Sequence, residues 1–186
     1  MTAAPRPNRT SSAILRHWPI AVGLLGAAFA AIGSPNRETV VVSLLVGLVC
    51  YLAAAALGVR WVAWVAIPVA SALVVAGALI GIAPWFVLGG VAVVLVIVGL
   101  EARGSPTALA AQSLALLAYG GIALIGLALS PSVGAVLASL TLMAHAVWDV
   151  IHYRRNAVVS RSLAEACMVF DVLLGLAAMV LVLAGA

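Results

Sequence analysis

Two histidines, two aspartates and a glutamate fall within residues 141–171 of a chain that is otherwise almost entirely Ala, Val, Leu, Ile and Gly. On an α-helix Thr141, His145, Asp149 and His152 follow one another at steps of four, four and three, so they line one face, with Trp148 at its edge. An aspartate one turn from two imidazoles can orient both rings and set which nitrogen carries the proton. The same spacing offers a metal two ligands from one helix. The next helix begins on the same side, which puts Glu165 level with His152 and Asp171 level with His145. Asp171 is therefore expected to face His145. His145, Asp149, Asp171 and His152 are the candidate catalytic groups, and His145, Asp149 and Asp171 the candidate ligands of a divalent metal ion.

Ionisable groups are costly in hydrocarbon, and this chain is built for hydrocarbon. Of its 186 residues 66% are hydrophobic and 8% charged, far too few charges for a water-facing surface. All nine basic residues are Arg, and the net charge of +4 reads as membrane topology rather than as a nucleic-acid footprint. No nucleic-acid partner is expected. Cys50 and Cys167 lack the spacing of a zinc knuckle or a disulfide framework and read as small packing residues.

A span of about 20 apolar residues crosses the bilayer. That length gives seven candidates: 18–33, 39–58, 61–81, 84–101, 107–129, 133–153 and 163–184. Gly33-Ser34-Pro35, Gly58, and the pair Gly81 and Pro84 punctuate the first four. Ser105-Pro106 and Ser130-Pro131 each set a capping hydroxyl before a proline suited to the first helical position. No small-x-small cleavage site precedes the second span, so the first is read as a helix that stays, behind a disordered tail over 1–16. With seven spans, Arg6, Arg9, Arg16, Arg60, Arg103, Arg154, Arg155 and Arg161 all fall on one side, and only Arg37 on the other. The expectation is an all-α, seven-transmembrane-helix bundle of one domain over 17–186, amino terminus in the cytoplasm and carboxyl terminus outside. The Arg-rich, Lys-free composition suggests a bacterial inner membrane.

Several residues have a structural reading. Ser162-Leu163-Ala164-Glu165 has the form of a capping box. Glu101 with Arg103 reads as an interfacial pair. Trp18, Trp61 and Trp64 at one interface, Trp85 at the other, and His17 read as anchors. Gly77 and Gly81 form a GxxxG pair for close packing. Pro68 breaks the third helix's hydrogen bonding and either opens a cavity or seats a neighbour. Gln112 and Tyr119 share a face of the fifth helix, Gln112 and Tyr51 land in the same half as the polar stripe, and all three are candidates to line a shared cavity.

His145-x-x-Trp148-Asp149-x-x-His152, followed by Cys167 and Asp171, resembles a pattern of uncharacterised bacterial multi-pass membrane proteins. The likeness covers about 30 residues, omits the first five helices, and implies only that the deep His and Asp belong together. Two histidines on one helix face cannot flank a haem iron, and no standard Cys/His set for structural zinc is present. The sequence leaves three functions open. One is a membrane-embedded enzyme for a lipid-soluble substrate, working by acid–base or metal chemistry. Another is a proton- or cation-coupled transporter, for which an internal repeat is missing. The third is a non-catalytic subunit beside a membrane-protein partner.

Overall fold

The structure, a computed structural model, describes residues 17–33, 35–102 and 104–185. The tail over 1–16 and the Glu101–Arg103 pair therefore lie wholly or partly outside the described residues. Seven helices follow in order: α1 (Trp18–Ala31), α2 (Arg37–Leu57), α3 (Val62–Leu79), α4 (Pro84–Glu101), α5 (Pro106–Ala128), α6 (Pro131–Arg155) and α7 (Arg161–Leu183). Each end falls within two residues of the span read from hydropathy. α2 to α7 are long and apolar enough to cross a membrane. α1 is apolar but has 14 residues, about 21 Å at the usual rise, so six spans rather than seven meet the length.

α2 is the axis of the bundle. Its residues are buried on every side, from Val40 and Val41 through Leu44, Leu48, Tyr51 and Leu52 to Ala56, as expected of a helix that is apolar all round. Around it α3, α4, α5, α6 and α7 pack in succession, and α1 leans on α7. Neither α2 nor α3 packs along α1, so the ring is open between α1 and α3. Outward-facing Leu79, Phe86, Leu100, Leu117 and Val180 remain exposed, which is the apolar surface that acyl chains cover.

The helix ends follow local chemistry, with some departures. Asn36 caps α2 by accepting from the Thr39 N–H, and Ser105 caps α5 by accepting from the Ala108 N–H. Ser130 makes no side-chain cap, so Pro131 alone opens α6. The capping box at Ser162–Glu165 is not formed. α7 starts two residues earlier, with Ser160 accepting from the Leu163 N–H, and Glu165 lies 3.8 Å from His17 instead. Gly77 packs against Val87 of α4, whereas Gly81 sits in the following turn at φ +77 with open space around it, so the pair is not one packing surface. Arg37, the exception in the charge pattern, donates from Nη1 to the Leu129 carbonyl at 2.8 Å and caps the end of α5.

Candidate functional site

The α6–α7 crossing sets the site. A Cβ on Gly175 would lie 2.6 Å from Met143 Cγ and 3.1 Å from the Ser139 carbonyl, so the helices meet at the closest distance a glycine allows. One turn before Gly175 stands Asp171, and two residues after Met143 stands His145. This close approach brings His145 Nδ1 within 2.8 Å of Asp171 Oδ2. The equal depth read from the helical rise thus places them face to face.

Asp149 completes the group from the next turn of α6. Its Oδ2 is 3.8 Å from His145 Nδ1, and its Oδ1 accepts a 2.5 Å hydrogen bond from the Tyr51 hydroxyl of α2. His145, Asp149 and Asp171 are 1%, 0% and 5% exposed. One nitrogen of the imidazole and one oxygen of each carboxylate lie within 4.8 Å of one another. Two atoms of the cluster, His145 Nε2 and Asp149 Oδ2, are buried and have no hydrogen-bond partner among the described residues. Buried polar atoms are nearly always paired, so these two stand out.

His152 departs from the expected arrangement. Asp149 does not orient it. Its Nδ1 pairs with the Trp148 carbonyl one turn back at 2.8 Å, and its Nε2 lies 3.0 Å from Gln112 Nε2 of α5. Gln112 Oε1 in turn accepts from Trp148 Nε1 at 3.1 Å. His152, Trp148 and Gln112 are therefore a second network, locking α6 to α5, and the stripe read from spacing divides into two groups. The Tyr51 ring stands nearly perpendicular to both imidazoles, with centroids 5.7 Å from His145 and 5.0 Å from His152.

Tyr51 is the partner that spacing within one helix could not supply, since it comes from α2; only its depth pointed to it. Tyr119 meets His145 edge-on at 5.4 Å between centroids. It lies on a π-helical turn, Leu116–Gly120, inserted in α5. Such insertions re-aim side chains and gather at functional sites. Gly120 in this turn packs on Leu45 and Leu48 of α2, which holds α5 against the axis.

His145 and Asp171 also form part of the wall of a cavity of about 420 Å³ between α1, α2, α3 and α7. The rest of that wall is mainly apolar, including Val22, Phe29, Val46, Ile67, Val74 and Phe170. Small residues keep it open beside the imidazole: a Cβ on Gly47 would be 4.0 Å from His145 Cε1. The cavity coincides with the opening between α1 and α3. At the Arg-rich end of that opening the Trp18 and Trp64 rings approach to 5.2 Å, and Trp64 Nε1 donates to Ser162 Oγ at 3.2 Å. Trp64 thus serves as a wall of the cavity as well as an interfacial ring. Cys167 lines the same space, while Cys50 is packed in the core.

Comparison of the chain with protein-family models, with curated proteins and with solved structures finds no match. Fold and site define the class without them. The chain is a multi-pass helical membrane protein with a buried His145–Asp149–Asp171 cluster that could be a site.

Proposed function

We propose that the protein is a membrane-embedded enzyme acting on a lipid-soluble substrate at the His145–Asp149–Asp171 cluster. The observation that carries this reading is the cavity: an apolar chamber between α1 and α3, which do not pack along each other, with a buried imidazole–carboxylate pair in its wall. Ligand sites have this composition, mostly apolar with a few converging polar groups. A substrate from the bilayer enters sideways and meets an imidazole and a carboxylate at His145 and Asp171, with Ser43, Ser71 and Cys167 also in the wall. With Asp171 ionised, Nδ1 must donate to it, which leaves the Nε2 lone pair free to take a proton and return it. Asp171 then stabilises the imidazolium, and Tyr51 holds Asp149 beside the pair. His152 supports the site by fixing α6 against α5. In this reading the Arg-rich end is cytoplasmic, α1 counts as a short seventh span, and the membrane is a bacterial inner membrane.

Transport is the weaker reading. A second cavity of similar size, about 430 Å³ beside Asn36, Arg37, Glu38 and Ser132, lies at the opposite end and shares no lining residue with the first. The test compares lipid extracts of membranes carrying the wild-type chain or Asp171→Asn, by untargeted mass spectrometry. A compound depleted by the wild type and spared by the variant supports the enzyme. Identical extracts from wild-type, variant and empty membranes would overturn it.

A further inference from the structure

We infer that the cluster takes one divalent first-row metal ion, held by His145 Nδ1, Asp149 Oδ2 and Asp171 Oδ2 in place of the proton shared by His145 and Asp171. The inference rests on the reading above and names a cofactor for the same site; with the ion on Nδ1 the ring proton sits on Nε2, so His145 then donates toward the cavity instead of accepting. Three separate observations support it.

The first is distance. Ligand atoms bonded to such an ion at about 2.0–2.2 Å are separated by about 3.0–3.5 Å. Nδ1 is 2.8 Å from Asp171 Oδ2 and 3.8 Å from Asp149 Oδ2, values that bracket this separation. All three ligand atoms lie within 4.8 Å of one another.

The second is the unpaired oxygen. Asp149 is fully buried, and Tyr51 engages only Oδ1. Oδ2, the oxygen nearer His145, has no partner among the described residues. A phenol that fixes one carboxylate oxygen and leaves the other aimed at the ligand position is the way outer groups orient metal ligands.

The third is charge. Two carboxylates in hydrocarbon need compensation, and every described arginine (Arg37, Arg60, Arg154, Arg155 and Arg161) lies at a helix end or in a loop. The sequence has no lysine at all. A divalent cation with two aspartates and a neutral imidazole sums to zero, which suits the surroundings. One nitrogen and two oxygens favour zinc, iron or manganese over calcium, and three protein ligands leave positions for water or a substrate oxygen. Because the ion replaces a proton, affinity rises with pH and binding releases protons.

The experiment uses the full chain purified in detergent, stripped with chelator, loaded separately with Zn²⁺ and Mn²⁺, desalted and assayed by elemental analysis. The expected result is about one ion per wild-type chain with at least one of the two metals. Asp149→Asn and Asp171→Asn should each weaken binding by tenfold or more. Tyr51→Phe should weaken it by about 10- to 100-fold, as loss of an orienting partner does. Glu165→Gln, whose carboxylate lies beside His17 and outside the cluster, should retain it. A wild-type chain that holds less than about a tenth of an ion with both metals would overturn the inference, as would full retention in Asp149→Asn and Asp171→Asn. The two readings fail separately. A chain that binds no metal yet alters a membrane compound through Asp171 removes the ion and keeps the enzyme; a loaded chain with unchanged lipid extracts does the reverse.

Discussion

Gly47 sits where backbone, cavity and imidazole meet, and substitution there should separate stability from occupancy. In Gly47→Ala the new Cβ lies 4.0 Å from His145 Cε1, an ordinary contact, so nothing has to move. Alanine in a helix interior is more favourable than glycine by about 0.5–1 kcal/mol. For a chain of this length that corresponds to a rise of about 1–4 °C in Tm. Gly47→Leu extends further into the 420 Å³ cavity and covers the ring face beside it. Leucine has nearly the helix propensity of alanine, and the side chain enters open space, so the fold should tolerate it while the chamber shortens. Thermal unfolding in detergent measures the first effect, and mass spectrometry of lipid-phase molecules retained through purification measures the second. Gly47→Ala should melt at or above the wild type and keep the retained molecules; Gly47→Leu should lose most of them without a large fall in Tm. A Gly47→Leu protein that retains the wild-type complement, or a Gly47→Ala protein that melts several degrees lower, would refute the placement of Gly47 beside an accessible imidazole.

Three further outcomes follow from the packing. Tyr51→Phe removes the one hydrogen-bond donor to the buried Asp149 carboxylate among the described residues and should cost about 1.5–3 kcal/mol, read as a fall in Tm, with no change in helix content by circular dichroism. Gly175→Val inserts atoms where 2.6 Å separates a Cβ from Met143, so α6 and α7 must part; stability should fall by about 1–3 kcal/mol, and any activity that needs the His145–Asp171 pair should vanish even though neither residue is changed. Ser160→Ala should destabilise by about 0.5–2 kcal/mol as the true cap of α7, whereas Glu165→Gln should leave Tm within error; the opposite order would restore the capping box.

How much of this could be read without coordinates depends on whether one helix or several decide it. The spans were legible because length and hydropathy act locally, and the pairing of His145 with Asp171 because a short loop and the helical rise fix depth. The split of the stripe was not. Spacing puts Asp149 between the two histidines, but Gln112 on α5 and Tyr51 on α2 compete for the same groups and draw His152 and Asp149 apart. Likewise Ser162 and Ser160 both precede a helical pattern, and only the contact of Ser162 with Trp64 reveals why the earlier serine is the cap. The opening between α1 and α3 had no signal in the chain at all, since it is a consequence of which helices surround α2. Gly23, whose added Cβ would sit 2.4 Å from the Ala166 carbonyl, shows why α1 is bound to α7 rather than to α3.

The direct test of a lipid-facing entrance to the His145–Asp171 pair is photolabelling in a bilayer with a long-chain alcohol carrying a diazirine near its hydroxyl, followed by peptide mapping. The account predicts labels concentrated on the cavity walls, at 22–30 of α1, 67–75 of α3 and 166–171 of α7, and strongly reduced in Gly47→Leu. Labels spread evenly over outward-facing positions such as Phe86, Val93 and Leu117, with no loss in that variant, would contradict it.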